Sequence, residues 1–124
     1  MAKDHRDLRV YQAGFESAVR VQELSKRFPV EEQYSLTDQI RRSSRSVCAN
    51  IAEAWRKRRY PKHFASKLSD ADSEAAESLV WLDFARHFGY LGEEEYEKLV
   101  VRYEQICGQL TVMMAQPEKW IPRD

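Results

Sequence analysis

Apolar residues recur at three- and four-residue steps in four stretches of this chain, and helix breakers separate the stretches. That pattern constrains the fold more than any other feature of the sequence. Leu8, Tyr11, Phe15, Ala18, Val21 and Phe28 line one face of a helix at 3.6 residues per turn. The spacing predicts a first helix from Arg6 to Arg27, closed by Pro29, whose ring disfavours helical geometry at Phe28. A second stripe runs through Leu36, Ile40, Ser43, Val47, Ile51, Ala54 and Trp55 and ends near Lys57, with Ser35 placed to cap it. Ser43, Ser44, Ala49 and Ala52 would give this helix an inward face small enough for close approach by a neighbour. After the break at Arg58-Arg59-Tyr60-Pro61, Phe64, Leu68, Ala71, Ala75, Leu79, Leu82 and Phe88 mark a third helix, with Gly89 as its stop. The fourth follows Gly92 and carries Tyr96, Leu99, Val100, Tyr103, Ile106, Leu110, Met113 and Met114 before Pro117. Glu93, Glu94 and Glu95 stand where its positive dipole end favours them. No alternating β-branched run competes. The expectation is an all-α chain of 124 residues forming one domain, an antiparallel up-down-up-down four-helix bundle spanning residues 1–124.

Composition narrows the function classes. No apolar run approaches the roughly 20 residues that cross a bilayer, and no apolar segment follows the first five residues, so a cytoplasmic location is expected. Cys48 and Cys107 lie far apart without a CxxC pair, which points to small core residues rather than zinc ligands or a disulfide. A di-iron bundle needs Glu-x-x-His pairs, and none of His5, His63 and His87 has a glutamate three positions before it. Asp83 and His87 share a helix face and suit a rim ion pair better than a metal site. Asn50 and Glu53 interrupt the apolar face of the second helix, where bonds to nearby backbone or to an arginine would satisfy them. No cofactor and no metal is expected.

The formal charge is zero, but it is unevenly spread. Residues 41–62 carry Arg41, Arg42, Arg45, Arg56, Lys57, Arg58, Arg59 and Lys62 against Glu53 alone, a local charge of +7. Residues 70–104 hold ten acids against Arg86, Lys98 and Arg102, a local charge of −7. A helix C-terminus favours one or two cations through its dipole, not eight. Basic side chains with Trp55 and Tyr60 beside them suit phosphate contacts and base stacking on single-stranded or irregular RNA. The competing use is ion pairing to the acidic helices, within or between subunits. Arg58-x-x-x-x-His63 also fits a loose pattern similar to the active site of HEPN-type ribonucleases, interrupted by Pro61. The favoured reading is non-catalytic.

The order of residues in Arg6-Asp7-Leu8-Arg9-Val10-Tyr11-Gln12, in Tyr34-Ser35-Leu36-Thr37-Asp38-Gln39-Ile40-Arg41-Arg42-Ser43-Ser44 and in Ser46-Val47-Cys48-Ala49-Asn50-Ile51-Ala52-Glu53 is not demanded by helical periodicity. It resembles the four-helix bundle family encoded in 23S ribosomal RNA intervening sequences, and the likeness continues through Phe64, Ser73, Glu74, Glu77 and Gly89-Tyr90-Leu91. Cys48 departs from the pattern, which often has Pro there. The resemblance implies an antiparallel bundle that assembles as a homopentameric ring with a central channel. It also implies a relation to the accessory variability determinant protein of diversity-generating retroelements, which binds a reverse transcriptase and nucleic acid. The expected partners are therefore further copies of the chain, RNA or DNA, and a reverse transcriptase. Trp81, Phe84 and Trp120 are candidates for subunit contacts or for the core.

Overall fold

The computed structural model describes residues 2–123. Among these, the regular structure is four long helices, α1 (Arg9–Ser25), α2 (Leu36–Arg56), α3 (Pro61–His87) and α4 (Glu93–Ala115), with single 3-10 turns at His5–Asp7, Val30–Glu32 and Pro117–Trp120. The short connections 57–60 and 88–92 make successive helices antiparallel neighbours. Among neighbouring helices, packing is heaviest between α2 and α3 and lightest between α1 and α4.

Local chemistry sets the helix ends. Asp4 accepts the Arg6 N–H at 2.9 Å, while Asp7 accepts the N–H groups of Lys3 and Asp4. This reciprocal cap holds a 3-10 turn and leaves Leu8 extended, so α1 begins at Arg9 rather than Arg6. At its other end the chain tightens into a turn at Ser25, short of the Arg27 that the position of Pro29 suggests. Ser35 holds the position before α2 but does not cap it with its side chain. Its hydroxyl donates to Glu32 Oε1 at 2.6 Å, and that carboxylate oxygen receives the Leu36 N–H at 3.4 Å. The Ser35 bond, helped by those of Tyr90 and Leu36 and opposed by desolvation, holds the Glu32 pKa below its ordinary value. Pro61 is the first residue of α3, where its missing N–H costs nothing. Gly89, at φ 79°, ends that helix: the Tyr90 N–H reaches the Ala85 carbonyl at 2.9 Å and the Gly89 N–H reaches that of Arg86 at 3.1 Å.

The core follows the sequence stripes on α2 and α4 and most of that on α3, with Ile40, Val47, Ile51, Phe64, Leu68, Leu82, Tyr103, Ile106 and Leu110 almost wholly buried. On α3 the stripe fails at Leu79, which is half-buried, and at Phe88, which is exposed just beyond the helix; Ser78 and Ala85 take the inward positions because they keep the helical phase of Ala71, Ala75 and Leu82. On the first stripe Leu8, Val21 and Phe28 are buried as expected, but Tyr11, Phe15 and Ala18 are not. Val10, Gly14, Ser17, Val21 and Leu24 face inward, while Tyr11 is half-buried and Phe15 is 54% exposed. The reason is the closeness of α1 and α2. A Cβ on Gly14 would stand 3.3 Å from Cys48 Sγ and 3.5 Å from Val47 Cγ1, so the seam accepts small residues and turns the large rings outward. Ser43 and Ser44 are buried as expected, but Ala49 is exposed and Ala52 only half-buried. Ser43 Oγ and Ser78 Oγ lie 2.8 Å apart inside the bundle. The Tyr103 hydroxyl is buried beside them, with no well-formed hydrogen bond among the described residues, and burial pushes its pKa upward against the weak pull of the Ser78 and Ser44 hydroxyls. Burial also raises the Cys48 thiol to about 11. Cys107 is half-buried rather than a core residue.

Candidate nucleic-acid interface

The basic residues fall in two groups, Arg41, Arg42 and Arg45 on α2 and Arg56, Lys57, Arg58, Arg59 and Lys62 from the end of α2 to the start of α3. At 1.5 Å per residue, the eleven residue steps from Arg45 to Arg56 separate the groups by about 16 Å along the axis. Ala49 and Ala52 occupy the outer face between them.

The first group is fastened within the subunit. Arg41 Nε donates to Ser25 Oγ at 2.8 Å, and Arg45 Nη2 donates to Gln22 Oε1 at 2.7 Å. Arg42 bridges Glu74, at 3.2 Å, and Glu77 on α3. The Glu74 hydrogen bond, partly offset by desolvation and reinforced by Glu77, raises the Arg42 pKa. For Arg42 the competing use of the basic segment, ion pairing to an acidic helix within the subunit, is the one observed. Ser46 Oγ also donates to Glu74 at 2.7 Å, and Asn50 Nδ2 donates to the Ser46 carbonyl at 2.9 Å, the backbone bond expected of it.

The second group sits at the C-terminal end of α2. Arg56, Lys57 and Lys62 are exposed, and among the described residues no acid pairs with them. Glu53, the one acid of the segment, is bound by Lys67 at 2.7 Å instead of by an arginine. Arg58 is half-buried, its guanidinium carbon 3.8 Å above the Trp55 ring centroid and its Nη1 donating to the Trp55 carbonyl at 2.9 Å. Arg59 is exposed and has a contact of its own. Trp55 is 7% exposed, so it packs the core and supports Arg58 rather than offering a face to a base. Tyr60 does offer one: it is 58% exposed, and the His63 ring lies 5.8 Å away. His63 thus belongs to the aromatic part of this end, and no hydrogen bond joins it to Arg58 among the described residues.

Topology adds cations that are remote in sequence. Because α1 is antiparallel to α2, exposed Arg9 opens α1 at the same end. The turn Pro117–Trp120 packs on α3, with Trp120 6.1 Å from Phe64 between ring centroids, which brings exposed Lys119 there too. Neither was detectable from the 41–62 charge run, since each is brought close only by the bundle.

The remaining candidates resolve differently. Asp83 accepts a hydrogen bond from Tyr96 at 2.6 Å and does not pair with His87, whose ring meets Phe88 edge-on. Trp81 is half-buried with Nε1 donating to Glu77, Trp120 is half-buried, and Phe84 is exposed. Among the described residues, no cluster of three or more His, Cys, Asp or Glu side chains is placed to hold a metal ion, and no helix is long and apolar enough to cross a membrane.

Residues 6–112 match the family described as 23S rRNA-intervening sequence protein. The fold is similar to the crystal structure of a protein of unknown function from the S23 ribosomal protein family of Bacteroides thetaiotaomicron. That comparison has a TM-score of 0.74 and 34% sequence identity, covering 85% of this chain and 97% of the other. No curated protein matches the chain.

Proposed function

The chain belongs to the 23S rRNA-intervening sequence protein family, and from that premise we propose that it is a non-catalytic accessory protein that binds RNA through the end of the bundle where α2 stops and α3 starts. The observation that carries this reading is the contrast between the two basic groups. Arg42 is paired with Glu74 and Glu77, and Arg41 and Arg45 are tied by hydrogen bonds to the neutral Ser25 and Gln22, whereas among the described residues Arg56, Lys57 and Lys62 have neither an ion pair nor a side-chain hydrogen bond. Exposed cations around an exposed tyrosine supply phosphate contacts and a stacking surface without base-specific readout. The binding residues are therefore Arg56, Lys57, Arg58, Arg59 and Lys62, with Arg9 and Lys119 beside them.

The proposal includes a homo-oligomeric ring. A cyclic assembly needs two different complementary surfaces on each subunit. One candidate is the outer side of α1 and α2, where Tyr11, Phe15 and Val19 stand beside Arg45 and Cys48; the other is the α1–α4 groove lined by Val10, Gly108, Val112 and Trp120. Ring symmetry would repeat the basic end and raise avidity without new contacts. A second reading draws on the fastening of Arg41, Arg42 and Arg45: the α2 stripe serves subunit contacts, and the ring docks a protein such as a reverse transcriptase while having little RNA affinity of its own.

Fluorescence anisotropy of a short single-stranded RNA and of a structured RNA, with sedimentation velocity on the same samples, separates the two. Micromolar or tighter binding that weakens steeply with salt supports the RNA reading. No binding at low salt by a folded ring rejects it and leaves the protein-docking reading.

A further inference from the structure

The opposite end of the bundle has the reverse character. Along the last turns of α3, Trp81, Phe84 and Phe88 form a ladder with centroid spacings of 6.0 and 5.9 Å, continued by Tyr90 at 5.6 Å. Phe84 and Phe88 are 46% and 52% exposed. Facing the ladder is the segment that leads into α2, with Tyr34 exposed and Leu36 at the floor, and the two enclose an open concavity of about 620 Å³. Large aromatic rings gathered at one exposed site are uncommon on a surface that has nothing to bind.

The charges at this site select the occupant. Glu32 accepts the Tyr90 hydroxyl at 3.0 Å and the Ser35 hydroxyl at 2.6 Å. The Tyr90 hydrogen bond places the Glu32 carboxylate beside the ladder, and exposed Glu31 precedes it in the chain; burial, then the Glu32 hydrogen bond and the charges of Glu32 and Glu31, push the Tyr90 pKa upward. Among the described residues no lysine or arginine pairs with Glu31 or Glu32. No lysine or arginine lines the concavity, and Arg42 and Arg86 are engaged elsewhere, Arg42 with Glu74 and Glu77 and Arg86 with Glu93 at 4.0 Å. Phosphate backbones are repelled by such a rim. A guanidinium is attracted by both of its components, because it stacks on aromatic faces and forks onto carboxylates.

We propose that this aromatic and acidic end is a docking surface for an arginine-bearing apolar segment of a protein partner. Leu-like side chains of the segment fill the concavity over Leu36, and its arginines lie between the Phe84–Phe88 rings and Glu31 and Glu32. The 21 residues of α2 hold this surface about 30 Å from the basic end, so the two ends are free to engage different molecules together. The inference goes beyond the RNA reading and does not depend on it, since the two use opposite ends.

The test uses the full chain and a fluorescein-labelled twelve-residue peptide alternating Leu and Arg, beside its Leu-Glu counterpart, by anisotropy at low and moderate salt. The Leu-Arg peptide is expected to bind, and the Leu-Glu peptide is not. Phe84→Ala with Phe88→Ala, both exposed positions that leave the core intact, weakens binding about tenfold or more. Glu31→Gln with Glu32→Gln weakens it severalfold and removes most of its salt dependence. Arg56→Ala with Lys57→Ala and Lys62→Ala, which disables the proposed RNA end, leaves it unchanged. Equal binding of the two peptides, no binding of the Leu-Arg peptide, or indifference to the phenylalanine changes overturns the proposal. So does a change in subunit number in the Phe84/Phe88 variant, which would assign the face to a second copy of the chain.

Discussion

Removing Arg56, Lys57 and Lys62 together, as Arg56→Ala, Lys57→Ala and Lys62→Ala, isolates the electrostatic part of RNA binding from the fold. All three are exposed and make no ion pair among the described residues, so each change should shift stability by no more than about 0.5 kcal/mol. Each cation that meets a phosphate of a single strand contributes about 0.7 to the slope of log affinity against log salt, so three contribute about 2. Between 50 and 200 mM salt, a slope of about 2 is a loss of roughly twentyfold in affinity. The wild type should therefore lose about twenty times more affinity across that range than the triple variant does. Anisotropy of a short labelled single-stranded RNA, one that spans a single subunit, measures both slopes, and circular dichroism confirms the fold. The matching control changes Arg41 and Arg45 to Ala; because Ser25 and Gln22 already hold these side chains, the slope should move by less than one. A triple variant whose slope stays within one unit of wild type, or a control that flattens the slope more than the triple variant does, refutes the assignment of phosphate contacts to the α2–α3 end.

Other outcomes follow from the same geometry. Gly14→Leu should destabilise the bundle by about 1–3 kcal/mol in urea denaturation, because its side chain meets Cys48 and Val47, and adding Cys48→Ala should restore part of the loss. Tyr103→Phe removes a buried hydroxyl whose polar neighbours are the hydroxyls of Ser44 and Ser78, so it should change stability by no more than about 1 kcal/mol in thermal melts; a larger loss would mean that those serines bond it fully. Glu32 has a lowered pKa, so its contribution to stability is present above the ordinary carboxylate value and is lost as pH falls through the lowered one. Ser35→Ala should move the Glu32 titration, followed by carboxyl NMR, back toward the ordinary value and shift that loss to higher pH. His63→Ala should leave RNA cleavage products unchanged from wild type, and products that disappear with the substitution would establish ribonuclease chemistry at Arg58 and His63.

Much of the fold depends on chain-local physics and was therefore readable without coordinates. Pro61 at the first turn of α3, Gly89 in left-handed geometry after it, and Glu93–Glu95 in the first turn of α4 act within a few residues of their own positions. The same holds for the inward stripes of α2 and α4, whose large apolar residues recur at the helical period. On α1 the rule that large residues lie inside failed, because the distance between two helix axes, not residue size, decides what the seam holds. Gly14 and Ser17 fit where Tyr11 and Phe15 would not.

The candidate site divides along the same line. Sequence alone determined that one segment is strongly basic and another strongly acidic, because charge is a property of residue identity. Only the tertiary structure decided which cations remain open. Arg42 meets acids more than thirty residues away, Arg58 settles over Trp55, and Arg56, Lys57 and Lys62 project from the end where Arg9 and Lys119 also arrive. Pairing energies change steeply over a few ångströms, and those separations exist only after four helices have packed.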